Sequence, residues 1–149
     1  MHYYLIISLA FISFFASATP KSTPSKIAIV IDDIGYRQTD KDVLSIPGNI
    51  TYSILPHTPF GKALALEGKN RNLDILLHIP MESVNGKLLG PGALTANMNE
   101  IQLRESLEQS FDEIPFAIGI NNHMGSRLTT LYQPMSWTMR YLKDNNLIF

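Results

Sequence analysis

An α/β fold, with parallel strands and helices packed over the sheet, is what this 149-residue sequence predicts. Short runs rich in Ile, Val and Leu alternate with segments of helical periodicity, and strands that alternate with helices pair in parallel through right-handed crossovers. Each of the first four runs is followed by a carboxylate, an imidazole or an Asn-Asn-His cluster, and the carboxyl ends of strands are where α/β folds build their functional loops. At 45% hydrophobic and 17% charged residues, the composition is that of a single globular domain with a core of its own. Periodicity leaves a closed barrel and an open sheet both available.

The first strand is expected at residues 26–31, a β-branched run that stops at Asp32-Asp33. A weaker helix over residues 39–45 is closed by Pro47-Gly48. The second strand, residues 50–55, precedes His57, and Thr58-Pro59 then supplies a cap and a proline at the first position of a helix over 60–70. The third strand, residues 73–77, runs into His78. Leu103, Leu107, Phe111 and Ile114 mark an apolar stripe on a helix over 101–113. The fourth strand, residues 116–120, exits into Asn121-Asn122-His123. Gln133-Pro134 opens a last helix ending at Asp144-Asn145-Asn146, and a final strand starts at Leu147.

Charge and cysteine usage narrow the function classes. With a net charge of -1 and no Lys/Arg run, nothing draws the chain to nucleic acid or anionic lipid. It has no cysteine, so a bound metal must be held by His, Asp or Glu. The apolar run over residues 5–16 is too short to span a bilayer comfortably and ends in Ala16-Ser17-Ala18, the small-x-small pattern of a signal peptide. Cleavage after Ala18 is expected, leaving a linker over 19–25 and one domain over 26–149. The protein is then extracytoplasmic, periplasmic or secreted, and touches the membrane only if the leader stays uncleaved.

Adjacent carboxylates at the end of an apolar strand repel one another unless a cation or hydrogen-bond donor compensates. Asp32 and Asp33 therefore suggest a metal with a base beside it, although paired Asp residues also cap turns. His78, following Leu76-Leu77, reads by itself as a core histidine bonded to backbone. His123 lies in the polar, Gly-containing stretch INNHMGS, where packing gives little reason for an imidazole. His57, between prolines, reads as turn decoration. His78 follows Asp33 by 45 residues and His123 follows His78 by 45, a span that returns the chain to the same edge of a sheet.

The stretches KIAIVIDDIGY, LLHIPME and GINNHMGSRLT resemble the divergent polysaccharide deacetylases, relatives of metal-dependent esterases that remove acetyl groups from extracytoplasmic glycans. The resemblance implies an irregular seven-stranded (β/α) barrel, of which this chain corresponds to the N-terminal half to two-thirds. It implies Asp32 as catalytic base and Asp33 as first metal ligand. The wider superfamily sets two metal-binding His four residues apart on one loop, whereas here His123 is followed at that distance by Arg127. His78 then becomes the third ligand beside Asp33 and His123, and two His with one carboxylate suit a divalent metal, zinc first. Asn122, Arg127 and Glu82 are expected to bind substrate or to support the ligands. The substrate would be an acetylated saccharide, and the late His that serves the family as general acid would lie beyond Phe149, so the sequence reads as incomplete at its C-terminal side. The alternative is an envelope module that binds glycan or protein on the same fold without turnover.

Overall fold

The computed structural model describes residues 24–149, so the expected leader and most of the expected linker lie outside the described residues. Four parallel strands, β1 (Ile29–Ile34), β2 (Ile50–Ile54), β3 (Asp74–Met81) and β4 (Ile120–Met124), form one sheet in the order β1-β2-β3-β4. A 3-10 helix, Gln38–Ser45, joins β1 to β2; α1 (Gly61–Asn70) joins β2 to β3; α2 (Glu100–Glu113) joins β3 to β4; and α3 (Tyr132–Asp144) follows β4. Each strand lies beside its predecessor and the order never reverses, as it would in a doubly wound sheet. The sheet is singly wound: a half-barrel.

The pleat sorts the strand residues into two sets. A Cβ placed on Gly68 of α1 would stand 2.5 Å from Cδ1 of Ile75, so Ile75 faces the helices. Its register partner Tyr52, and the pair Ile54 and Leu77, face the same way, packing with Leu64, Ala65, Leu103, Leu107 and Ile114 in the core. Between them, Ser53 pairs with Leu76 and His78 pairs with Asn121, and these point to the concave side. A local signal fixes the start of α2: Asn99 Oδ1 accepts from the Gln102 backbone N–H at 3.0 Å, and Gln102 Oε1 accepts from that of Asn99 at 3.0 Å. Leu107 is fully buried between α2 and the sheet. Leu107→Ala is expected to cost roughly 2–5 kcal/mol, read as a lower urea midpoint at unchanged slope.

Five expected elements are shifted or reshaped, the first being β1, which covers Ile29–Ile34 rather than 26–31 and so runs through Asp32-Asp33 instead of stopping at them. The segment over 39–45 is a 3-10 turn of helix rather than an α-helix, its start held by Asp40 Oδ2, which accepts from the N–H groups of Gly35 and Arg37 at 2.8 and 3.1 Å. The third and fourth strands run on through their polar residues: His78 sits inside β3, and Asn121, Asn122 and His123 sit inside β4. Phe116, expected to begin the fourth strand, has φ +70°, which an extended run does not permit. The expected last strand amounts to one parallel bridge, Gly119 with Ile148. A Cβ on Gly119 would meet the Ile148 carbonyl oxygen at 2.2 Å, so glycine alone allows that approach.

Candidate metal centre

β1 delivers its carboxylates through a bulge. Ile31 pairs with Tyr52 and Ile34 with Ile54, so β1 spends three steps where β2 spends two. Ile31 and Ile34 both face the helices, and the two residues between them, Asp32 and Asp33, fill a place that a regular strand gives to one. Asp33 takes φ +61° there, a backbone that Asp tolerates better than most residues. The doubled carboxylate at the end of an apolar strand is thus the extra residue of a bulge, and it turns the Asp33 side chain over the concave face.

Asp33 Oδ1 lies 3.0 Å from His78 Nε2 and 2.8 Å from His123 Nδ1, and the two ring nitrogens are 3.2 Å apart. The imidazoles meet edge to face, with ring centres 5.0 Å apart. β1 and β4 are three strand spacings from each other, about 14 Å on a flat sheet. Contact between their side chains follows from the curl of the half-barrel, which folds both edges over β3.

His78 is 2% exposed, and its partners show how it is aimed. Its Nδ1 is 2.7 Å from Asn121 Oδ1, which also accepts from the Ser53 hydroxyl. An amide oxygen only accepts, so Nδ1 of His78 donates to Asn121 and Nε2 is the ring nitrogen turned toward Asp33. Oδ1 of Asp33, Nε2 of His78 and Nδ1 of His123 thus converge on one point, where a ring N–H or a bound cation can bridge them. Among the described residues, Asp33, His78 and His123 are the group of metal-capable residues that the fold draws together, their ligand atoms all within 4.8 Å of one another.

The other sequence-predicted residues are placed differently. Asp32 is exposed and has no hydrogen-bond or ion-pair partner among the described residues. Asn122 Nδ2 donates to the Met124 carbonyl at 2.6 Å, shaping the end of β4. Glu82 receives the Ala96 N–H on Oε2 at 2.6 Å and pairs through Oε1 with Arg127, while its backbone oxygen accepts from the N–H groups of Arg127 and Leu128. Glu82 and Arg127 therefore tie the segment after β3 to the turn after β4. His57 is exposed at φ +54° on the loop after β2 and makes no bond to the three donors. Sequence reasoning passed over Ser53 and preferred Asn122 to Asn121. The pairing of His78 with Asn121 across β3 and β4 is the signal that selects between them, and it exists only once the register is known.

Beside the three donors opens a cleft of about 390 Å³, whose walls include Asp33, His123, Tyr36, Arg37 and Asp40.

Comparison with known proteins follows the same outline. The profile of the divergent polysaccharide deacetylase family matches residues 29–149. An Escherichia coli (strain K12) protein, uncharacterized protein YibQ, is 34% identical over 142 residues, which are 95% of this chain and 44% of the relative. An uncharacterized protein from Haemophilus influenzae is 36% identical over 126 residues, 84% of this chain and 45% of that one. The chain thus spans less than half the length of these curated relatives. The crystal structure of uncharacterized protein ATU2773 from Agrobacterium tumefaciens C58 is similar with a TM-score of 0.74 at 24% identity, over 80% of this chain and 50% of that one, an agreement of fold. With the family profile running from the first residue of β1 to the end of the chain, and the curled, singly wound sheet expected of it, this chain belongs to the divergent polysaccharide deacetylase family.

Proposed function

We propose that this chain carries the metal-holding half of a glycan deacetylase, acting outside the cytoplasm as the leader-like first twenty residues suggest. The convergence of Asp33 Oδ1, His78 Nε2 and His123 Nδ1 at 2.8 to 3.2 Å supports this reading most, because it gathers three metal-capable atoms at one point. Two imidazoles and one carboxylate are a donor set of hydrolytic zinc, and the bond from His78 to Asn121 is the outer support such histidines carry. A divalent metal bound there supplies Lewis acidity to an acetyl carbonyl and to water. Asp32 is the residue left to take the proton from the attacking water: its carboxylate is exposed and unpartnered among the described residues, while its neighbour is engaged by two imidazoles. Tyr36 and Arg37 line the cleft where the sugar would lie.

The test is acetate release from acetylated chito-oligosaccharide by a zinc-loaded full-length version that also carries the late His. Asp32→Asn is expected to keep its metal and to lose roughly a hundredfold or more in rate, the usual range for a general base. Unchanged release would remove Asp32 from that role. The second reading is a binding module without turnover, and it draws on Arg127, which occupies the place of a superfamily ligand and is spent on Glu82. Full metal occupancy with no acetate release by the wild type would favour it.

A further inference from the structure

We infer that the cleft beside the metal centre selects acidic saccharides, with Arg37 binding a carboxylate on the acetylated sugar. This deepens the deacetylase reading and rests on it for the identity of the ligand as a sugar.

The chain has five arginines. Four are paired with acids: Arg71 with Glu67, Arg104 with Asp144, Arg127 with Glu82 and Arg140 with Glu100. Arg37 alone has no carboxylate within ion-pair distance among the described residues, and residues 1–23 contain neither Asp nor Glu. It is also the arginine that shares a cleft wall with Asp33 and His123. Asp40, three residues on, is no ready partner, since its Oδ2 already accepts the backbone N–H groups of Gly35 and Arg37. That same bond fixes the Arg37 backbone, so the guanidinium swings from an anchored point rather than from a loose loop.

An unpaired guanidinium keeps its full fork of donors for a ligand, and the fork matches a carboxylate in two parallel bonds. Beside it, Tyr36 is 53% exposed and offers a ring face on which the apolar side of a pyranose can rest. The cleft therefore presents a flat platform, a cation and a metal-holding cluster together, and the sugar that uses all three carries an acetyl group and a carboxylate. A neutral acetylated sugar would leave Arg37 without a partner in the complex.

The experiment uses the zinc-loaded chain and two probes that differ by one group: N-acetylglucosamine, and N-acetylmuramic acid, the same sugar bearing a lactyl carboxylate. Affinities are read from amide NMR shifts during titration. The acidic sugar is expected to bind about tenfold more tightly, one charge-assisted contact being worth a factor of that order. Arg37→Ala should abolish the difference between the acidic and neutral probes, and its dispersed amide spectrum shows that the variant is folded. Arg37→Lys should retain part of the difference, keeping charge without the fork. Equal affinities in the wild type, or a preference that survives Arg37→Ala, would overturn the inference. Acetate release by the full-length version is measured alongside, so that the two ideas fail separately: release with no preference for the acid removes Arg37 and keeps the hydrolase, whereas preference without release keeps Arg37 and removes the hydrolase.

Discussion

Asp33→Ala is expected to lower the zinc affinity of the chain by more than about a hundredfold, because even an outer partner of a ligand is worth ten- to a hundredfold. The carboxylate is the only charged member of the cluster when both imidazoles are neutral, and it is the atom that both histidines face. Without it, two ring nitrogens 3.2 Å apart have no counter-charge to help them hold a dication. His123→Ala should behave alike, and Asp32→Ala should not, since Asp32 lies outside the converging group. Competition against a chromogenic chelator gives the affinities, and plasma mass spectrometry of the purified chains gives the stoichiometry. The same comparison appears as stability: free zinc at a hundred times its Kd should add about 2.7 kcal/mol to the wild type and almost nothing to Asp33→Ala. Metal retained at wild-type affinity in Asp33→Ala would mean that the cluster is not the site.

The second large effect is expected from a residue that touches no metal. Asn121→Leu keeps nearly the volume of the side chain and removes the oxygen that receives His78 Nδ1 and the Ser53 hydroxyl. His78 is then free to place its hydrogen on Nε2, the atom that must be bare, and zinc affinity should fall ten- to a hundredfold. The orphaned, fully buried Ser53 hydroxyl should cost a further 1–3 kcal/mol of fold stability, roughly. Asn121→Asp, which keeps an acceptor oxygen in place, should restore most of the affinity, something a purely structural role for Asn121 would not require. Nitrogen shifts of the His78 ring report the tautomer directly, and an unchanged Nδ1–H form in Asn121→Leu would show that Asn121 does not set it.

The alternation of apolar runs and helical stripes made the parallel architecture legible in the sequence, and the helices over 60–70 and 101–113 were placed to within a residue. The residues Asp33, His78 and His123 stood out by type and by their place along the chain, and the structure draws these three together. What escaped the sequence was whatever depends on register. Strand ends were set too early because hydrophobicity marks only the face toward the helices, and the concave face of β3 and β4 is free to carry His78, Asn121 and His123 without ending the ladder. The bulge at Asp32-Asp33 is invisible until β1 is laid against β2, and Ser53 gives no signal in a run of apolar neighbours. His78 satisfied both of its readings in part: it is as buried as a core histidine, yet its bonds go to Asn121 and Asp33 and not to backbone.

Asp33 and His123 are 90 residues apart in the chain and sit on strands that are not neighbours in the sheet. No local segment holds even two of the donors, so loop-closure entropy keeps the cluster from existing before β2 and β3 have been zipped between the outer strands. An unfolded or half-assembled chain therefore lacks the assembled cluster, and a metal held by all three donors would meet only the finished sheet. Such a metal would chiefly slow unfolding and leave the rate of folding nearly unchanged, a latch that closes last and must open first.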